Sequence, residues 1–237
     1  MQRILGTVRK AVTDYKMIEN GDRIAVGLSG GKDSLALLAG LFRLREFIGL
    51  SYGLIAVTVD PRFNGADTDY SAITAMCESL GIDHAIRRSE LGEILFVRRQ
   101  EKNPCSLCAR MRRGMLHDMA NELGCNKIAL GHHRNDAVET LVMNLFYEGR
   151  LGCFQPVSYL SRKNLTMIRP LCLATERDIT AAVRKEGLPV IEKNCPADGF
   201  TARQKTKEWL AAMEKSEFPG LSKKLFGAVL RAHLSGW

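Results

Sequence analysis

The sequence contains no apolar run approaching the roughly 20 residues needed to cross a bilayer. Its first stretch, Met1 to Tyr15, interleaves Arg3, Arg9, Lys10 and Asp14 with apolar residues, so it lacks the unbroken core of a secretory signal. The expected address is cytoplasmic. Internal repeats and low-complexity segments are absent. Hydrophobic residues make up 46% and charged residues 25%, which excludes a collagen, a long disordered chain and a coiled-coil rod. Acidic residues are the minority charge: 26 Asp and Glu face 34 Lys and Arg, a formal net charge of +8. That excess suits a polyanionic partner, whose condensed counterions Lys and Arg displace, and suits a plain solvated basic surface equally well. Seven cysteines, an odd number in a cytosolic chain, argue against a disulfide framework and for local metal or catalytic use.

What is present reads as alternating strands and helices. With 237 residues the chain is sized for one large domain with small appendages. Ile4, Val8, Val12 and Tyr15 recur at helical spacing and predict a first helix. Strands are expected over Arg23–Leu28, Leu54–Val59, Asp83–Arg88, Lys127–Gly131 and Met167–Pro170, with a short extended piece over Pro189–Ile191. Helices are expected over Leu35–Phe47, Asp69–Leu80, Leu107–Leu123, Asp136–Tyr147 and Thr175–Glu186. This alternation predicts an α/β fold, a doubly wound parallel sheet with helices on both faces. Sites in such sheets lie beyond the carboxyl ends of the strands, where the polar loops Ser29–Ser34 and His132–Asp136 fall. Residues 200–237 read as two more helices broken near Pro219-Gly220, a basic C-terminal appendage to a domain spanning 1–199. A solvated helical cap is the rival reading of that segment.

The most informative string is Gly27-Leu28-Ser29-Gly30-Gly31-Lys32-Asp33-Ser34, placed between a strand and a helix. Its glycines allow a tight turn that brings backbone N–H groups against an anion, and the following helix N-terminus adds positive partial charge. Ser29 and Ser34 offer hydroxyls and Lys32 a point charge. It is not a Walker A loop, because Val26 and Asp33 stand where that motif needs Gly and Ser or Thr. It lacks Gly-x-Gly-x-x-Gly as well. It resembles the PP-loop of the ATP pyrophosphatases, which cleave ATP between the α and β phosphates and adenylate a carbonyl oxygen.

A second constellation is Cys105-Ser106-Leu107-Cys108, a Cys-x-x-Cys just before an expected helix. That spacing serves zinc, iron–sulfur and redox sites alike. Cys195, followed by Pro196, is the natural third ligand. Three thiolates are too few to close a structural zinc site, and suit a cubane cluster with one iron left open. Cys77, Cys125, Cys153 and Cys172 sit in or beside apolar segments and read as small buried hydrophobes.

Taken together, the chain resembles the tRNA 2-thiocytidine synthetases among the PP-loop tRNA thiolases. The resemblance runs from about Arg23 to about Cys195. It is carried by Ser29–Ser34, Thr58-Val59-Asp60, the segment Cys105–Gly114, Ile128–Asp136, Asn144–Tyr147 and Ile168–Leu171. Two positions depart from the family pattern: Asn135 replaces the first of two Asp, and Asp198 the last Cys of a second Cys-x-x-Cys. These departures bear on the exact substrate more than on the chemistry.

The resemblance implies ATP with Mg2+ on Gly27–Ser34, with Val57, Val59, Gly131 and His132 completing the nucleotide site. It implies a 4Fe–4S cluster on Cys105, Cys108 and Cys195, with Asp198 a competitor for the fourth iron. It implies that a tRNA pyrimidine, cytidine 32 in this family, is adenylated on its C2 oxygen and thiolated. Asp136 would position the base or relay a proton, unless it caps a helix; Arg112, one turn after Cys108, would steady the adenylate or the sulfide, unless it sits in a surface ion pair. Implied partners are tRNA, a sulfur donor such as a cysteine desulfurase or free sulfide, and a second copy in a homodimer, with no membrane. Rival readings are persulfide chemistry on Cys105 or Cys195 without a cluster, a cluster-free adenylating ligase like the lysidine synthetases, and a non-enzymatic RNA-binding module.

Overall fold

The computed structural model describes residues 1–100, 104–192, 195–197, 199 and 201–237. Six strands form one sheet in the order β3-β2-β1-β4-β6-β5. They are β1 (Arg23–Gly27), β2 (Gly53–Asp60), β3 (His84–Arg88), β4 (Lys127–Ala129), β5 (Val157–Leu160) and β6 (Leu165–Ile168). β3, β2, β1, β4 and β6 run parallel, and β5 pairs antiparallel with β6 at the edge. The expected doubly wound parallel sheet is formed by these five strands, and β5 adds one antiparallel edge strand to it. The cause is local: Ser161-Arg162-Lys163 make a tight turn closing a hairpin, which needs no crossover helix.

Both faces of the sheet are covered, as parallel strands require. The pleat sends alternate side chains to two cores. Ile24 and Val26 of β1, Ala56 of β2, Ala129 of β4 and Ile168 of β6 enter one. Ala25, Ile55, Val57, Val59, Ile128 and Met167 enter the other. The first core is capped by α1 (Gln2–Asp14), α2 (Lys32–Leu44), α3 (Ser71–Ser79), α6 (Arg134–Glu148) and α7 (Glu176–Glu186). The second is capped by the short helix α4 (Leu91–Glu93), which runs into a π turn over Ile94–Arg98, and by α5 (Pro104–Glu122). The C-terminal helices are α8 (Ala202–Ser216) and α9 (Leu221–Arg231).

Element boundaries shift in instructive ways. α5 begins at Pro104, three residues earlier than the hydrophobic period suggests, because proline's fixed φ suits the first helical position. Cys105 thus lies on the first turn of the helix and Cys108 at the start of the second, nearly one turn apart on one side. α2 likewise begins at Lys32, inside the phosphate loop. Pro189–Ile191 joins no ladder, but the Ile191 N–H donates to the Gly30 carbonyl at 2.9 Å.

The C-terminal helices bury Leu210, Phe226 and Val229 in the first core, and Trp237 ends the chain there, 6% exposed. The Trp237 Nε1–H donates to the Phe154 carbonyl at 2.6 Å, and Phe226, Phe154 and Tyr15 pack against its ring at 5.3, 5.6 and 6.2 Å between centroids. Trp237→Ala is expected to lower the unfolding free energy by about 3 kcal/mol, because the site cannot fully collapse around the cavity. Phe218→Ala, half exposed, should stay within about 0.5 kcal/mol. Urea denaturation of the two variants checks the contrast.

Candidate active site

The strand order reverses between β1 and β4, so their carboxyl ends diverge into a crevice. Three helices begin at this edge: α2 after β1, α6 after β4 and α7 after β6. Their N-termini bring unpaired N–H groups and positive partial charge to one place.

The phosphate loop is shaped by its own hydroxyls. Ser34 Oγ donates to the Gly31 carbonyl at 2.8 Å and accepts the Ser29 N–H at 3.2 Å, while Ser29 Oγ accepts the Gly31 N–H at 3.3 Å. Leu28 anchors the base of the loop: its N–H donates to the Val57 carbonyl at 2.8 Å, and its carbonyl accepts the Thr58 hydroxyl at 2.9 Å. Gly30 has φ +81°, the left-handed region, and a Cβ there would stand 3.1 Å from Ile191 Cβ. Across the crevice a Cβ on Gly131 would meet the Asp33 carbonyl carbon at 3.1 Å and the Ser34 nitrogen at 3.2 Å. Glycine at 131 is what lets the β4 loop lie against the start of α2.

Two cavities open from this edge. One, of 340 Å³, is lined by Gly27, Leu28, Ser29, Asp33, Ser34, Val59, Gly131 and His132, with Arg112 and Arg113 from α5. The other, of 310 Å³, is walled by Cys105, Cys108 and Cys195 together with Phe63, Tyr70 and Phe96. Ser29, Ala109 and Arg112 line both. The structure thus brings most of the expected nucleotide residues together and sets all three cysteines around an adjoining hollow. Gly30, Gly31, Lys32 and Val57 are not on the wall of the 340 Å³ cavity; Val57 lies one pleat repeat below Val59, fully buried in the second core, and offers the loop only its carbonyl.

Arg112 Nε and His132 Nδ1 are buried without a hydrogen-bond partner among the described residues. Such orphaned atoms on a cavity wall mark a place where a polar ligand belongs. Burial, assisted by the Arg169 charge, pushes the His132 pKa down to about 4, so the ring is neutral at pH 7. Burial raises the Cys108 pKa, the Arg112 charge opposes that, and the neighbouring Cys195 and Cys105 thiols add to the rise. The three thiols therefore sense one another. Among the described residues, however, no three His, Cys, Asp or Glu side chains are gathered closely enough to hold a metal ion. The donor set still fits an iron–sulfur cluster by its chemistry: three soft thiols on a partly buried wall, whose protons leave on ligation. Asp198 lies outside the described residues.

Asp136 stands elsewhere than the sequence suggested, on neither cavity wall. It closes a capping box on α6: its Oδ2 accepts the His133 N–H at 2.8 Å, and its own N–H meets His133 Nδ1 at 3.4 Å. Its Oδ1 faces Arg203 of α8 at 3.5 Å. The helix-capping role, weighed against catalysis in the sequence, is the one the geometry displays. His133 Nε2 in turn lies 3.7 Å from Asp33.

Sequence reasoning missed Glu176. It joins the phosphate loop to the C-terminal helices, reaching Lys32 at 3.1 Å and Lys207 at 2.7 Å. Its signal was present in the helix start Thr175-Glu176-Arg177-Asp178, where Thr175 caps α7. Asn135 Oδ1 accepts the Glu176 N–H at 3.0 Å, which ties α6 to the same junction.

The PP-loop domain family matches residues 4–205. The chain belongs to this PP-loop family. It is 41% identical over 223 residues to a tRNA-cytidine(32) 2-sulfurtransferase of Syntrophotalea carbinolica, covering 93% of this chain and 85% of that one. It is 39% identical over 235 residues to the same-named protein of Pelobacter propionicus, covering 98% and 86%. Among solved structures, the U34-tRNA thiolase NcsA from Methanococcus maripaludis with its 4Fe–4S cluster superposes with a TM-score of 0.79. That match has 27% identity and covers 98% of this chain and 78% of that one. The PP-loop sequence and the crevice geometry therefore agree.

Burial alone would raise the Glu176 pKa, but the hydrogen bonds and charges of Lys207 and Lys32 overcome it and hold the group at about 2. A folded pKa depressed from 4.5 stabilises the fold fully above pH 4.5, and that contribution fades as pH falls towards 2. Glu176→Gln should therefore lose on the order of 2 kcal/mol at pH 7. The deficit should shrink steadily below pH 4.5, as urea titrations at stepped pH can follow.

Proposed function

We propose that this protein is an ATP-dependent tRNA thiolase that exchanges the C2 oxygen of a pyrimidine, cytidine 32 by analogy with its relatives' names, for sulfur. One observation carries the reading: the phosphate-loop cavity and the three-thiol cavity share Ser29, Ala109 and Arg112 as a common wall. An activation centre and a sulfur centre that adjoin can act on one bound base in succession.

In this reading the ATP phosphates settle on Ser29–Ser34 at the N-terminus of α2, with Lys32 supplying charge. The Asp33 carboxylate, on the cavity wall, is the group available to hold Mg2+ beside phosphate oxygens. The C2 oxygen of the base attacks the α-phosphorus, pyrophosphate leaves, and the base carries an O-linked AMP. Sulfur then attacks C2, the C2–O bond breaks, and AMP departs with the oxygen. Arg112 stands between the two cavities, where its guanidinium can neutralise the adenylate phosphate as charge builds. His132, neutral at pH 7, offers an uncharged hydrogen bond to the nucleotide. Asp136 acts as a positioning residue, holding His133 beside Asp33 through the cap of α6. Cys105, Cys108 and Cys195 would hold the 4Fe–4S cluster, which supplies an open iron able to carry sulfide. Free sulfide is at the oxidation level the substitution needs; sulfur from a cysteine desulfurase arrives as a persulfide and is first reduced by two electrons from an external thiol reductant.

Residues 200–237 are assigned to tRNA contact, with Lys205, Lys215, Lys223 and Lys224 facing outward. Arg203 and Lys207 are already engaged by Glu139 and Glu176. A persulfide on Cys105 or Cys195, without a cluster, is the second reading.

Lys32→Ala should cut tRNA-dependent AMP release by roughly two to three orders of magnitude, the cost of one group stabilising transferred phosphoryl charge. Undiminished release would remove the loop from the mechanism. Alanine at Cys105, Cys108 or Cys195 should abolish iron binding and nucleoside thiolation together, while Cys77→Ala, buried in the first core, keeps both. The readouts are iron and sulfide content after anaerobic purification and mass spectrometry of tRNA nucleosides. Full thiolation by iron-free protein would favour the persulfide reading.

A further inference from the structure

We infer that the outer face of α7 is a phosphate-binding groove that seats the backbone of the tRNA substrate; this rests on the thiolase reading above. A shallow hollow of 890 Å³ runs along this helix, with Asn135 and Glu176 at its head and Arg177, Arg184 and Lys185 along its length. Its head is the Glu176 junction, which touches Lys32 of the phosphate loop.

The charges of α7 are sorted by direction. Its three carboxylates turn towards neighbouring elements and are neutralised there. Glu176 holds Lys32 and Lys207; Asp178 faces Arg3 of α1 at 3.6 Å; Glu186 holds Arg43 of α2 at 2.6 Å and the chain's N-terminal amine at 3.4 Å. Its three cations turn outward, exposed, and make no ion pair among the described residues. Two other exposed arginines are engaged instead, Arg88 by Asp67 and Arg98 by Glu93. A groove with its acids withdrawn and its cations left open is complementary to a polyanion.

The dimensions suit a nucleic-acid strand. Arg177 and Arg184 are about two helical turns apart, about 11 Å, a length over which one duplex strand carries roughly three phosphates. Arginine's planar fork grips phosphate in two places, whereas lysine gives a point charge. The groove also starts where activation must occur, since its head adjoins the helix that opens at the phosphate loop. A tRNA strand lying along α7 would be led into the crevice by backbone contacts alone, leaving base selection to the cavities.

The test is a salt titration of full-length tRNA binding to the wild-type protein, to the triple variant Arg177→Ala, Arg184→Ala, Lys185→Ala, and to the double variant Arg87→Ala, Lys163→Ala. The triple variant should bind roughly tenfold or more weakly at low salt, and the slope of log K against log salt should become shallower by about two. The double variant should match wild type, and ATP binding should be equal in all three. All substituted groups are surface side chains, so circular dichroism melts should coincide. A triple variant with wild-type slope and affinity, while the wild type still thiolates tRNA, would overturn the groove and leave the function standing. A wild-type protein with no salt-dependent tRNA affinity would overturn both.

Discussion

The catalytic edge depends on one constraint, the close approach of the β1 loop and the β4 loop across the point where strand order reverses. Gly131 sits so near the backbone of Asp33 and Ser34 that any side chain would have to push α2 away. Because the two loops touch, the N-termini of α2 and α6 face the same space, and an anion placed there meets both. Gly30 adds the second contact. Its left-handed turn leaves room for Ile191, whose N–H bonds the Gly30 carbonyl. A sheet with the same strands and bulkier residues at 30 and 131 would keep its core and lose its crevice.

The polar chemistry is distributed around that crevice by what each carboxylate has left to do. Asp136 is committed to capping α6 and to Arg203, and Glu176 to Lys32 and Lys207. Arg112 and His132 keep unpartnered atoms on the nucleotide wall, and burial holds His132 neutral. Arg169, behind them, is buried with its guanidinium over the Phe154 ring at 5.1 Å, and both burial and the Arg113 charge lower its pKa to about 10. Positive charge is thus gathered without enough carboxylates to satisfy it, a cost that a polyphosphate ligand would offset.

Much of this was legible in the sequence because it was written in local terms. The phosphate loop announces itself by two glycines and two serines between a strand and a helix, and the helical periods of α1, α6 and α7 were within a few residues of their observed bounds. What escaped was encoded non-locally. β5 is a short edge strand defined by its hairpin with β6 and not by a long alternating run. The early start of α5 is set by Pro104, and it turned a pair of cysteines in front of a helix into a pair on its first two turns. Asp136 was open to two readings in the sequence, base positioning or a helix cap, and its partner in the cap is fixed by the fold, which turns the carboxylate back onto the His133 N–H. Trp237, the last residue, gave no periodic signal and yet fills the seam between α9, Phe154 and Tyr15.

The same contacts link the two cavities mechanically. Cys105, Cys108 and Arg112 ride on successive turns at the start of α5, so thiol and guanidinium positions are fixed relative to each other by helix geometry. Cys195 comes from the other side, beyond Ile191 and Glu192, and Ile191 is pinned to Gly30 by backbone hydrogen bond and close packing. Ile191 and Cys195 line the same cavity, so the Gly30 turn is packed directly against one of its walls. One glycine without a side chain and one isoleucine against it join the phosphate loop to the cavity lined by the three thiols.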